Sequence, residues 1–193
     1  MCVAILKPKG KDISDKQLEL GYEANSHGAG FAYSFENRLV VKKGYFDIDE
    51  FIKEIRAVQE SCDNPTMIIH FRLASHGVIN VQNCHPFNVS ENLAVIHNGI
   101  MPQPFSTMAS RNSTHSDTYY FVEKYLKALY AKDSKFFLDS NVMVDIAKQI
   151  ERKGRGNKLC FLDNAGEYSI INENLGFFEN GVWFSNDSCR VAN

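Results

Sequence analysis

The sequence predicts an α+β fold in which antiparallel sheets carry helices on their outer faces. Three observations point to it. An apolar, β-prone run follows Met1 at Cys2-Val3-Ala4-Ile5-Leu6, short strand-like runs close the chain, and the helix-periodic segments fall mostly between them. With 193 residues, 44% of them hydrophobic, the chain can bury a proper core without disulfide or metal staples. One domain over residues 1–193 is therefore expected.

Residues 2–6 read as a strand closed by Pro8 and Gly10. Ser14 to Ala24, with Leu18, Leu20 and Tyr22, reads as a weak helix or a turn-rich segment. Gly28 to Phe35 alternates small and aromatic residues and forms a strand, with Arg38 to Lys43 as its hairpin partner across Glu36-Asn37. Asp47 to Ser61 is a helix capped by Asp47 or Asp49, because Phe51, Ile52, Ile55 and Val58 recur at helical spacing, and Asn64-Pro65 ends it. Thr66 to Leu73 and Leu93 to His97 are apolar strands. Ser116 to Tyr130 is a helix with Tyr120, Phe121, Tyr125, Leu126 and Leu129 available for burial, and Phe136 to Glu151 is a second. Asn157 to Asp163, Glu167 to Ile171 and Val182 to Ser185 are short strands. Asn164-Ala165-Gly166 and Asn180-Gly181 carry hairpin-turn chemistry.

Composition narrows the function classes. A net charge of −2 implies no large basic face, so nucleic acid is not an expected partner. The five cysteines are odd in number and lack paired short spacings, which fits a reducing, cytoplasmic compartment. No leader-like segment precedes the first strand, and no apolar run is long enough to span a bilayer. No CxxC, HxxxH or HExxH pair occurs, so neither a metal nor another cofactor is expected. A papain-like Cys/His pair is disfavoured because no internal cysteine begins an evident helix.

Polar groups that interrupt apolar runs are the informative anomaly. Arg72, in His70-Phe71-Arg72-Leu73-Ala74-Ser75-His76-Gly77, sits in a run that should be buried, and a buried guanidinium needs a partner. Its fork fits a carboxylate, either in a structural salt bridge or in a ligand. His85, in Asn83-Cys84-His85-Pro86-Phe87, orients a loop or, as the simpler reading, is a satisfied core histidine. Asn98-Gly99 follows a strand directly, which suits a hairpin turn or two donors aimed at one oxyanion. Ser116 and Asp117 open a helix, where Ser116 is a natural N-cap and an ionised Asp117 is favoured by the helix dipole. Cys2 alone reads as a small core hydrophobe. With Met1 removed, however, its thiol would lie beside a free α-amine with a pKa of about 7.7–8.0, able to take the thiol proton.

Taken in order from residue 2, these segments resemble the class II glutamine amidotransferase domains, which are N-terminal nucleophile hydrolases. The match runs through Cys2, Ala24 to Gly30, His70 to Gly77, His85-Pro86, His97-Asn98-Gly99 and Ser116-Asp117-Thr118. The resemblance implies a four-layer αββα fold with two stacked antiparallel sheets. It implies that Cys2 attacks the glutamine side-chain amide, with its α-amine as base. Asn98 and the Gly99 N–H would hold the oxyanion, Arg72 the α-carboxylate and Asp117 the α-ammonium, while Ser75, His76 and Gly77 line or close the pocket. A thioester would then be hydrolysed to glutamate, and a separate synthase protein would use the ammonia. Leu73 departs from the aromatic residue usual after the motif arginine. No acceptor-binding domain is expected, and the last third carries no motif assignment. Two alternatives stay open: an N-terminal-cysteine hydrolase acting on another γ-glutamyl or peptide amide, and a non-catalytic binding module if Met1 is kept.

Overall fold

The computed structural model describes residues 2–152 and 156–191. Its first strand, β1 (Val3–Lys7), is buried along its whole length. Side chains alternate across a strand, so two different cores form on its two faces. Val3 and Ile5 point outward and pack with Leu18 of α1 (Asp15–Ala24) and with Phe51, Ile55 and Val58 of α2 (Ile48–Ser61). Ala4 and Leu6 point inward and meet Ala94, Ile96, Cys160 and Leu162 of a second sheet.

The first sheet runs β3-β2-β4-β1-β10-β9, with β2 (Ala29–Phe35), β3 (Arg38–Tyr45), β4 (Met67–Phe71), β9 (Phe177–Glu179) and β10 (Val182–Phe184). The second runs β5-β6-β7-β8, with β5 (Phe87–Ser90), β6 (Leu93–Asn98), β7 (Lys158–Asp163) and β8 (Tyr168–Ile171). Every pairing in both is antiparallel. The outer face of the second sheet is covered by Phe121, Val122, Leu126, Phe136, Phe137 and Ile146, among others. Helices over two stacked sheets make the four-layer αββα arrangement of N-terminal nucleophile hydrolases.

Local chemistry accounts for the elements. Ser14 and Gln17 form a reciprocal capping box, which turns the weak helix expected from residue 14 into a regular one. Glu36-Asn37 and Asn180-Gly181 adopt positive φ at both turn positions, as tight two-residue hairpins demand. The helix expected over Ser116–Tyr130 is continuous but not uniform. It comprises α4 (Asp117–Phe121), a π turn at Val122–Leu126 and α5 (Lys127–Lys132). The helix expected from Phe136 begins as a 3₁₀ turn at Phe136–Leu138, and α6 (Ser140–Gln149) starts afresh because Asp139 caps it. β5, β9 and α3 (Phe105–Arg111) have no counterpart in the sequence reading. β5 and β9 are too short for clear alternation, and α3 starts at Pro104 without a side-chain cap. No described helix is long and apolar enough to cross a membrane.

Candidate active site

Strand alternation builds the site. Ala4 and Leu6 face the layer between the sheets, so Cys2, one step earlier on the same face, opens at the edge of that layer. On β6, Ala94 and Ile96 face inward, which turns Asn98 toward Cys2. Its amide Nδ2 donates to the Cys2 carbonyl oxygen. Asn186 donates to the same oxygen at 2.8 Å. Ser185 fixes the next residue, since the Ala4 N–H donates to Ser185 Oγ at 2.8 Å and the Ser185 N–H to Ala4 O at 2.9 Å. Residues 2–4 are thus held by the Ser185-Asn186 segment that follows β10.

The Cys2 thiol donates to Leu73 O at 3.3 Å and receives the Leu73 N–H at 3.2 Å. Burial pushes the thiol above its ordinary pKa, and the Leu73 N–H and the Arg72 charge oppose that shift. Arg72 is buried, as expected, but among the described residues its guanidinium forms no ion pair with a carboxylate. It donates to His76 O at 2.9 Å, Val78 O at 3.1 Å and Gly77 O at 3.2 Å, and so straps the 76–78 segment down. Gly77 (φ +76°) approaches the start of α4 so closely that a Cβ would lie 2.8 Å from the Ser116 nitrogen.

Asp117 lies in the first turn of α4, which Ser116 caps by accepting the Tyr119 N–H. Its carboxylate is buried and accepts the Met101 N–H at 2.7 Å and its neighbour Thr118 N–H at 2.9 Å. His76 Nδ1 stands 3.8 Å away. Asn98-Gly99 makes no hairpin. β6 ends there, Gly99 takes φ +144°, and the chain continues to α3 instead of turning back. A Cβ on Gly99 would lie 2.0 Å from Asn157 Oδ1, so a larger residue cannot occupy this bend.

One small cavity, ≈ 20 Å³, gathers these groups. Among its walls are Cys2, Arg72, Ser75, His76, Gly99 and Asp117, with His85 and His97. The sequence-derived candidates therefore converge, with Asn98 and Gly77 adjoining through the contacts above. A cleft of ≈ 580 Å³ lies at the opposite end of the sheets, around the 36–37 and 164–166 turns. The candidate site is distinguished by its juxtaposition of thiol, guanidinium and carboxylate rather than by volume.

Several supporting residues lie in the quoted segments but have no role assigned from the sequence. His97 is locked by Thr118 Oγ1 at 2.8 Å and Asn157 Oδ1 at 2.9 Å. Asn83 ties the strapped loop to the helix start, donating to Val78 O and Thr114 O and accepting the Ser116 N–H. His27 Nδ1 accepts the Ala74 N–H at 3.0 Å. The expected removal of Met1 concerns a residue outside those described. Among the described residues, no three of His, Cys, Asp and Glu could share a metal ion.

The layered antiparallel sheets have the fold of N-terminal nucleophile hydrolases, and the Cys2 thiol stands at the head of an inner strand. No protein-family model matches the chain. Two curated relatives do, both named glutamine–fructose-6-phosphate aminotransferase (isomerizing). The Pyrococcus horikoshii protein is 35% identical over 88 residues, 45% of this chain and 14% of its own length. The Chlamydia caviae protein is 37% identical over 83 residues, 42% of this chain and 12% of its own. The chain thus spans a small fraction of the relatives it matches. Glutamine phosphoribosylpyrophosphate amidotransferase from B. subtilis shares the fold, with a TM-score of 0.57 and 18% identity over 98% of this chain and 42% of that one. A structure described as the allosteric regulatory enzyme of purine biosynthesis gives 0.55 and 15%, with the same coverages. The resemblance to class II glutamine amidotransferase domains therefore holds in sequence as well as in fold.

Proposed function

We propose that the chain hydrolyses the side-chain amide of glutamine as a glutaminase-type domain over residues 1–193, acting in a reducing compartment. One observation carries this reading: a thiol, a buried guanidinium and a buried carboxylate wall the same cavity. Glutamine presents an amide, a carboxylate and an ammonium, one for each. With Met1 removed, the Cys2 α-amine takes the thiol proton, and a C–S bond forms at the amide carbon. Asn98 Nδ2 and the Gly99 N–H hold the resulting oxyanion. The C–N bond then breaks, and ammonia leaves with the proton returned by the α-amine. Water adds to the thioester, the C–S bond breaks, and glutamate departs.

The cavity holds about one water, so glutamine enters only when the 74–78 segment swings outward. Arg72 then exchanges its three loop carbonyls for the substrate carboxylate. The released ammonia would serve a separate synthase protein.

Incubation with glutamine, asparagine and γ-glutamyl peptides, assayed for ammonia and glutamate, tests the proposal. Equimolar ammonia and glutamate from glutamine are expected. Preferential cleavage of a γ-glutamyl peptide would redirect it to another amide, and no turnover of any amide would leave a binding module.

A further inference from the structure

Among the described residues, His85 is the one buried side chain of the site with no hydrogen-bond partner at either ring nitrogen. It is 4% exposed, yet neither Nδ1 nor Nε2 has a hydrogen-bond partner among the described residues. The core-histidine reading is thus half right: the ring is buried but unsatisfied. Buried polar atoms normally find partners, and an orphaned pair points to a small polar guest. The ring packs against His70, with centroids 4.0 Å apart, and edge-on against Phe87 at 4.7 Å, so it cannot turn away freely. It also walls the cavity that holds the Cys2 thiol, whose ≈ 20 Å³ exceeds the roughly 10–15 Å³ one water requires.

Given the proposed glutaminase chemistry, on which this inference rests, we infer that His85 is a positioning residue that seats the water hydrolysing the Cys2 thioester. Its own burial and the neighbouring His70, His97, Arg72 and Lys43 keep the imidazole neutral. A neutral ring offers one N–H and one lone pair, which matches a water molecule. Ammonia has nearly the same size and also both donates and accepts, so it leaves through the same niche. A neutral ring does not protonate it there. Water that replaces ammonia stands on the face of the acyl carbon just vacated. Its oxygen forms the new C–O bond, one of its protons passes through the α-amine to the departing sulfur, and the C–S bond breaks. Water is the only co-reactant.

The test separates the two half-reactions in wild type, His85→Phe and His85→Gln. Rapid quench with glutamine reads the ammonia burst, and intact mass reads the glutamyl adduct on Cys2. His85→Phe should keep the burst, release glutamate about tenfold more slowly or worse, and accumulate the adduct. Hydroxylamine, a small neutral nucleophile, should discharge that adduct as the hydroxamate. His85→Gln, which keeps a donor and an acceptor, should stay within a fewfold of wild type. Equal loss of burst and steady state in His85→Phe, or a normal rate with no adduct, would overturn the inference. Should the Phe variant not fold, His85→Leu, which removes both polar atoms without adding bulk, is read by the same two outcomes. Absence of ammonia release from wild type would sink the glutaminase reading itself, a separate result.

Discussion

Two amides, Asn98 and Asn186, donate to one acceptor, the Cys2 carbonyl, and their roles should separate on mutation. In Asn98→Ala the carbonyl keeps the Asn186 donor at 2.8 Å, so no buried acceptor is orphaned. The stability cost should be that of one hydrogen bond, about 1 kcal/mol. For a protein of this size that lowers Tm by about 2–4 °C. Turnover is a different matter. Asn98 lies beside the Gly99 N–H at the end of β6, and loss of one oxyanion donor costs about 2.7–4 kcal/mol, or a 10²–10³-fold fall in kcat. Asn186→Ala also removes the acceptor of the Ser188 N–H at 3.1 Å, so it should cost more stability, about 2 kcal/mol, but kcat should fall less than about tenfold. Thermal unfolding paired with glutamate release under saturating glutamine measures both quantities. Equal kcat losses in the two variants would refute the assignment of Asn98 as oxyanion donor.

Further predictions follow from the same geometry. Arg72→Lys removes the fork that reaches three carbonyls, so KM for glutamine should rise at least tenfold and proteolysis within residues 74–80 should quicken. Gly99→Ala drives a Cβ onto Asn157 at a φ that side chains avoid, and should cost several kcal/mol in denaturant unfolding. Lys7 is fully buried among Asn64 Oδ1 at 2.6 Å, Pro65 O at 2.8 Å and two further carbonyls, and burial pushes its pKa from 10.5 to about 8. Between these values the unfolded chain binds the proton that the folded one has lost, so stability should rise as pH climbs from about 8 to 10.5. The gain is on the order of 2–3 kcal/mol. Lys7→Met should flatten that slope in urea titrations.

How much of this was legible beforehand depends on sequence separation. The strands and turns that announce themselves locally, such as β1, β4 and the Asn180-Gly181 hairpin, lie where alternation and turn residues put them. Cys2, Arg72, Gly99 and Asp117 stood out as polar or permissive residues set against an apolar run or a helix start, whereas Ser75 and His76 entered only through the resemblance to amidotransferase domains; one cavity gathers all of them. Asn157 and Asn186 carried no such signal. They act 60 and 184 residues away from their partners, His97 and Cys2, and an asparagine in a closing loop looks like ordinary turn chemistry. The partners of Arg72 were also hidden, because backbone carbonyls have no sequence signature. The π turn at Val122–Leu126 lies within a helical pattern that periodicity alone reads as uniform.

The proposed reaction requires Cys2 to act as an N-terminal nucleophile in a pocket for an amino-acid amide. Mass analysis of protein treated with an electrophilic glutamine analogue tests that most directly. One equivalent of label on a peptide that starts at Cys2, lost in Cys2→Ala and blocked by excess glutamine, is the predicted result. Label on another cysteine, or no label on protein that still begins with Met1, would contradict it.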